Sequence, residues 1–150
     1  SMSLRDDLDS GDSYYIVEIK SIKRILDSME STDGKVLCFV DEVLRGTNTV
    51  ERIAASTQIL LSMAGENMQC FAATHDIELT GLLEGPYENY HFEEEIKDGD
   101  VLFNYQLQPG KATTRNAIKL LEIMGYKPEI IEKARIQADS FLEQGVWELS

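Results

Sequence analysis

Between Tyr15 and Met29 the apolar residues Tyr15, Ile19, Ile22, Leu26 and Met29 recur at steps of four and three. Such positions fall on one stripe of a 3.6-residue helix, with Lys20, Lys23 and Arg24 on the wet side, so the spacing predicts a helix. Asp12 and Ser13 come just before the stripe. A short side-chain oxygen there accepts a hydrogen bond from an unpaired first-turn amide, which sets the predicted start near Ser13. After the turn Thr32-Asp33-Gly34 the pattern becomes an unbroken apolar run, Val36 to Val40, ending in Asp41-Glu42. Continuous apolarity over so short a stretch predicts a central strand buried on both faces, with its acids emerging at the C-terminal edge.

Helical spacing returns with Val50, Ile53, Ala54, Thr57, Leu60, Leu61 and Ala64, and Gly65 stops it. A second buried strand, Cys70 to Ala73, then delivers Thr74-His75-Asp76. Strand, helix and strand in that order predict a right-handed crossover between two parallel strands. From Tyr90 to Gln108 two mixed aromatic and polar stretches flank Lys97-Asp98-Gly99-Asp100, where Asp-Gly signals a hairpin. Two further helices follow: one carries Ala117, Ile118, Leu121 and Met124 before Gly125, the other Ile131, Ala134, Ala138 and Phe141 after Pro128. No internal repeat and no low-complexity linker interrupts this order.

Composition narrows the function. At 150 residues with 43% hydrophobic content, the chain fits one domain that needs neither disulfides nor metal for its core. Its 27 acidic residues against 14 basic ones give a formal charge of −13, a field that repels phosphate backbones and anionic membranes, so direct nucleic-acid binding by this segment is not expected. Cys38 and Cys70 each sit inside an apolar run, which predicts reduced, structural thiols in a reducing compartment. With no apolar stretch approaching the roughly 20 residues of a membrane span, and no signal-like N-terminus, the reading is cytoplasmic. Ser1-Met2-Ser3-Leu4 reads as partly a cloning remnant.

Adjacent residues on a strand point to opposite sides, so Asp41 and Glu42 can serve two jobs at one edge: one holding a metal shell, the other facing a reactant. In a nucleoside-triphosphatase the first orients magnesium and its waters, and the second polarises the attacking water. Taken singly, such acids are ordinary strand ends. Arg45-Gly46-Thr47-Asn48-Thr49 follows, with Gly46 free to adopt positive φ and a helix start at Asn48 or Thr49. His75 lies at the exit of the next strand, beside Glu42 if the two strands are neighbours. Converging groups at the C-terminal edge of a parallel sheet favour a ligand site.

The run "FVDEVLRGTNTVERIAAS" followed by "CFAATHDIELT" resembles the Walker B, D-loop and switch-histidine region of the MutS mismatch-repair ATPases, in that order. Upstream, "DDLDSGDSYYIVEI" looks like that family's counterpart of the ABC signature segment, with Ser13 at a helix start and Glu18 further along. Downstream, "FNYQLQPGKATTRNAIKLLEIMGYKPEIIEKA" resembles its closing hairpin and terminal helices. The resemblance covers nearly the whole chain. It implies an α/β fold, a partial P-loop nucleoside-triphosphatase domain of ABC type with a parallel sheet, an antiparallel hairpin and C-terminal helices. Its parts would be a signature-like segment at 6–18, Walker B and D-loop at 36–49, the switch histidine at 75, the hairpin at 90–108 and terminal helices at 113–142.

By the same resemblance Asp41 is the acid near magnesium, Glu42 the catalytic glutamate and His75 the sensor of the γ-phosphate. Gly46 and Asn48 belong to the D-loop that touches an opposing protomer, and Ser13 faces the nucleotide held by that protomer, where a helix N-terminus favours phosphate. ATP and magnesium are then the cofactors of a complete parent protein, a second ATPase subunit in a homodimer is the partner, and DNA is met through other domains. Two departures stand out. Thr114-Arg115-Asn116 occupies a segment where MutS proteins usually carry Ser-Tyr-Gly, which points to a MutS-related branch. No G-x-x-x-x-G-K-[ST] occurs; Gly110-Lys111 lacks the upstream glycine, has Ala112 in place of the hydroxyl, and reads as a turn. The chain is therefore expected to be half of an ATPase domain, inert alone. One alternative is a non-catalytic dimerisation or interaction module built on the same surfaces. Another is an ABC-type ATPase outside repair, against which the 45–48 and 104–134 segments argue.

Overall fold

A computed structural model describes residues 14–31, 34–97, 100–112 and 116–145. The chain divides into two compact units, residues 1–89 and 90–150.

In the first unit α1 (Tyr14–Ser31), β1 (Val36–Asp41), α2 (Thr49–Met63), β2 (Met68–Ala73) and α3 (Ile77–Leu82) follow in order. The strands β1 and β2 pair in parallel from Val36 opposite Met68 to Asp41 opposite Ala73, as the strand–helix–strand pattern predicts. Cys38 and Val40 on β1 point into a core with Ile22 of α1, Leu60 and Met63 of α2, and Leu79 of α3. All three helices thus stabilise one face of the pair. Cys38 and Cys70 stand opposite each other in the register and both are free thiols.

Two expectations need correction here. The strand pair is not buried on both faces: Leu37, Phe39 and Phe71 are 60%, 59% and 51% exposed. The Phe39 and Phe71 rings stack on each other at 5.2 Å, each covering part of the other. Within α1, Ile19 is exposed, whereas Glu18 and Ser21 are buried beside Ile22. Tyr15, Ile22, Leu26 and Met29 pack inward as expected, and Glu18 and Ile25 join them in place of Ile19, because Glu18 finds a partner inside. The short helix α3 was not expected. It packs through Leu79, 1% exposed, and is closed by Asn89 Nδ2, which donates to the Thr80 carbonyl at 3.0 Å.

The second unit holds β3 (Tyr90–Lys97), β4 (Asp100–Pro109), α4 (Ala117–Ile123) and α5 (Pro128–Gln144). The hairpin is antiparallel, with Lys97 opposite Asp100; its Asp98-Gly99 turn lies outside the described residues. Register slips between Phe92 and Glu94, near Tyr105 at φ +52, which bends the pair. His91 ties the open end: Nδ1 meets the Gly110 carbonyl at 2.9 Å and Nε2 meets Glu93 at 3.0 Å. Gly110 has φ +94 directly after β4, the turn expected of Gly110-Lys111. On α5 the inward residues are Ile131, Ala134, Ala138 and Phe141, as predicted, whereas Ala117 of α4 and Met124 at its C-terminal cap are exposed. Arg135 pairs with Glu122 at 2.7 Å between the two helices. Thr114 and Arg115 lie outside the described residues, and Asn116 donates to Glu94 at 3.0 Å.

Candidate active site

The site grows from the strand ends. Past Asp41 the ladder continues by one bond, the Glu42 amide donating to the Ala73 carbonyl at 2.9 Å. There the backbone turns sharply: Glu42 sits at φ +54 and Leu44 at φ +59, both in the left-handed region. That region costs a non-glycine residue about 1 kcal/mol, so the loop persists only if its surroundings over-determine it. They do. Val43 and Leu44 are buried at 3% and 4% exposure, Ser56 of α2 donates its hydroxyl to the Val43 carbonyl at 3.2 Å, and the Leu44 amide donates to Glu18 Oε1 at 2.7 Å.

The turn re-aims Glu42. Asp41 is exposed at the end of β1 on the same face as Leu37 and Phe39, whereas Glu42 leaves the strand alternation and its carboxylate is 16% exposed. One carboxylate oxygen meets His75 Nε2 at 3.1 Å and the other pairs with Arg45. His75, with its side chain 93% exposed, has no other partner holding it among the described residues. Glu42 and His75 therefore do converge at the C-terminal ends of neighbouring parallel strands, at the mouth of a cleft of about 180 Å³ lined also by Val43, Arg45, Arg52, Thr74 and Asp76.

A second layer orders this edge. Arg52 of α2 grips Asp76 with both arms, Nε to Oδ2 at 2.8 Å and Nη2 to Oδ1 at 2.6 Å. The hydrogen bond to Asp76, followed by its charge, holds the Arg52 guanidinium above its ordinary range, so the guanidinium stays charged. The Asp76 amide in turn donates to the Thr74 hydroxyl oxygen at 3.0 Å. His75 lies between these two residues. Neither Arg52 nor Asp76 carries a signal as a site residue in the sequence, because their partners are distant in the chain; Glu18 is marked there only as part of the signature-like segment.

The remaining expected site residues fare differently. Ser13 lies outside the described residues. Gly46 is not at positive φ; the residues that are stand at 42 and 44. Its glycine matters for close approach instead, since a Cβ there would come within 2.9 Å of Tyr15 Cβ on α1. Asn48 caps α2: its Oδ1 accepts from the Glu51 amide at 3.0 Å and its Nδ2 donates to the Glu51 carboxylate at 2.7 Å. Among the described residues no three His, Cys, Asp or Glu side chains converge as a metal cage, and no helix is long and apolar enough to cross a membrane.

The family model described as MutS domain V matches residues 2–142. The chain belongs to the MutS family. Among MutS relatives, the DNA mismatch repair protein MutS of Thermus thermophilus is 31% identical over 130 residues, 87% of this chain and 16% of that protein. DNA mismatch repair protein MutS 2 of Haloarcula marismortui is 31% identical over 134 residues, 87% of this chain and 14% of its own length. The MutS of Natronomonas pharaonis is 34% identical over 134 residues, 86% of this chain and 15% of its own. This MutS-family segment thus spans about one sixth of the Thermus relative's length.

Proposed function

We propose that this MutS-family segment is the acid-bearing part of an ABC-like ATPase domain, and that it contributes to ATP binding and hydrolysis in a dimeric, DNA-processing parent protein. The observation carrying this reading is the Glu42–His75 pair, 3.1 Å apart where two adjacent parallel strands end. Folds of this kind place their ligands at such an edge.

In this reading Glu42 orients and polarises the attacking water, and His75 answers the γ-phosphate. Both oxygens of Glu42 are occupied here, one by His75 and one by Arg45. A 93% exposed imidazole can be drawn off toward a phosphate, and its departure would free the carboxylate oxygen for water. Asp41 would hold magnesium: an exposed carboxylate outside any cage of protein ligands suits an ion that keeps its waters and takes one or two carboxylates together with substrate phosphates. Bound there, the ion would neutralise charge developing on the transferred phosphoryl group. Gly46 and Asn48, on the loop between acids and α2, would face the opposing subunit, and Ser13 the nucleotide which that subunit holds. The phosphate-binding loop would come from elsewhere in the parent, and DNA would be met by other domains, consistent with a charge of −13.

The test compares ATP hydrolysis by this chain with hydrolysis by a longer chain that includes an upstream phosphate-binding loop. Turnover is expected in the longer chain alone; turnover by the 150-residue chain itself would overturn the half-site reading. A second reading, a non-catalytic interaction module, draws on the exposed Leu37, Phe39 and Phe71 face. It requires association through that face, so sedimentation showing a monomer at all concentrations removes it.

A further inference from the structure

Glu18 is a buried carboxylate that the proposed chemistry does not use. It sits on α1 at 6% exposure, and its Oε1 accepts the Leu44 amide at 2.7 Å, across 26 residues of chain. Its Oε2 is buried and has no hydrogen-bond partner among the described residues. A polar group is buried in such a place at a cost in desolvation, so the bond it makes must matter to what it holds. What it holds is Leu44, two residues beyond Glu42, at φ +59 in the loop that turns the Glu42 carboxylate toward His75. The same helix approaches the loop a second time, where Tyr15 packs so closely on Gly46 that no Cβ fits between them.

We propose that Glu18 is a positioning residue for Glu42: by fixing the Leu44 amide it holds the 42–46 loop in its left-handed turn, and it makes α1 and the acid loop move as one piece. This rests on the reading of Glu42 as the residue that activates water. A neutral amide at the same place keeps the acceptor, since its carbonyl oxygen can take the Leu44 proton; an apolar side chain of similar length cannot.

Glu18→Gln and Glu18→Met separate these possibilities. Amide hydrogen exchange on the chain should show Leu44 and its neighbours exchanging at least tenfold faster in Glu18→Met, near wild-type rates in Glu18→Gln, and unchanged protection at Ile22 and Leu60 in both. Ile22 and Leu60 report the core, so a Met variant that merely unfolds is recognised at once, and Glu18→Gln alone then still carries the test: its Leu44 protection must persist. In the longer ATP-hydrolysing chain, kcat should fall at least tenfold in Glu18→Met with KM for ATP within twofold of wild type, and Glu18→Gln should restore it to within about threefold. Equal kcat in wild type and a folded Glu18→Met, or loss of Leu44 protection in Glu18→Gln, overturns the proposal. The underlying site is checked by Glu42→Gln in the same chain: if that variant still turns over ATP, the reading of Glu42 fails, whereas its inactivity beside an active Glu18→Met refutes the role of Glu18 alone.

Discussion

Arg52 and Asp76 make the most quantifiable contact at this edge. Their side chains are 23% and 17% exposed, and both guanidinium arms engage the carboxylate at 2.8 and 2.6 Å. Fully exposed pairs couple by about 0.2–1 kcal/mol, and stripping one partner from a buried pair costs about 3–5 kcal/mol. A two-point pair between those limits should couple by about 1–2 kcal/mol, diminished but not abolished by salt. Urea unfolding of wild type, Arg52→Met, Asp76→Asn and the double variant isolates that quantity from the separate losses of packing. Arg52→Lys should recover less than half of it, since a point charge cannot reproduce the fork. A coupling energy below about 0.3 kcal/mol would refute the claim that the pair braces the segment carrying His75.

Three other outcomes are expected. Gly46→Ala should destabilise the first unit by about 1–3 kcal/mol, because the new methyl meets Tyr15 Cβ, which cannot swing away as a side-chain tip could; unchanged urea unfolding would contradict the close approach. His91 has its pKa raised by the Glu93 hydrogen bond first and the Gly110 carbonyl second, since two acceptors are satisfied only by the doubly protonated ring. Its contribution to stability is therefore full below the unfolded value near 6.5 and lost as pH rises through the higher folded value; His91→Gln should remove that part of the pH dependence, and an identical pH profile would sink the assignment. Burial raises the Cys70 thiol above its ordinary range, so iodoacetamide at neutral pH should label it slowly in the native chain and quickly in urea; equal rates would show it to be open.

Much of the fold was legible because it follows from period. The run 36–40, the helical spacing after Asn48 and the hairpin turn at 97–100 each carry a local pattern, and the parallel pairing of β1 with β2 follows from their order. Asn48 as a cap was legible for the same reason, its Glu51 lying three residues on. Less local features escaped. An apolar run cannot say whether one or both faces are covered, so the exposure of Leu37, Phe39 and Phe71 was invisible in it. Nor does any pattern place positive φ on Glu42 and Leu44 while a glycine stands two residues further; tertiary bonds from Glu18 and Ser56, not residue type, determine that turn. At the site, the meeting of Glu42 and His75 could be expected from strand order, but the grip of Arg52 on Asp76 joins residues 24 apart without a motif.

The central claim is that Glu42 activates water at a site which this segment shares with the rest of a MutS-family ATPase. Its most direct test is single-turnover hydrolysis by Glu42→Gln in a chain that contains the phosphate-binding loop, with nucleotide affinity measured on the same sample. The account predicts ATP bound with little change and hydrolysis slowed by about a hundredfold or more, the usual contribution of a positioned base. Hydrolysis at the wild-type rate with ATP bound would contradict it.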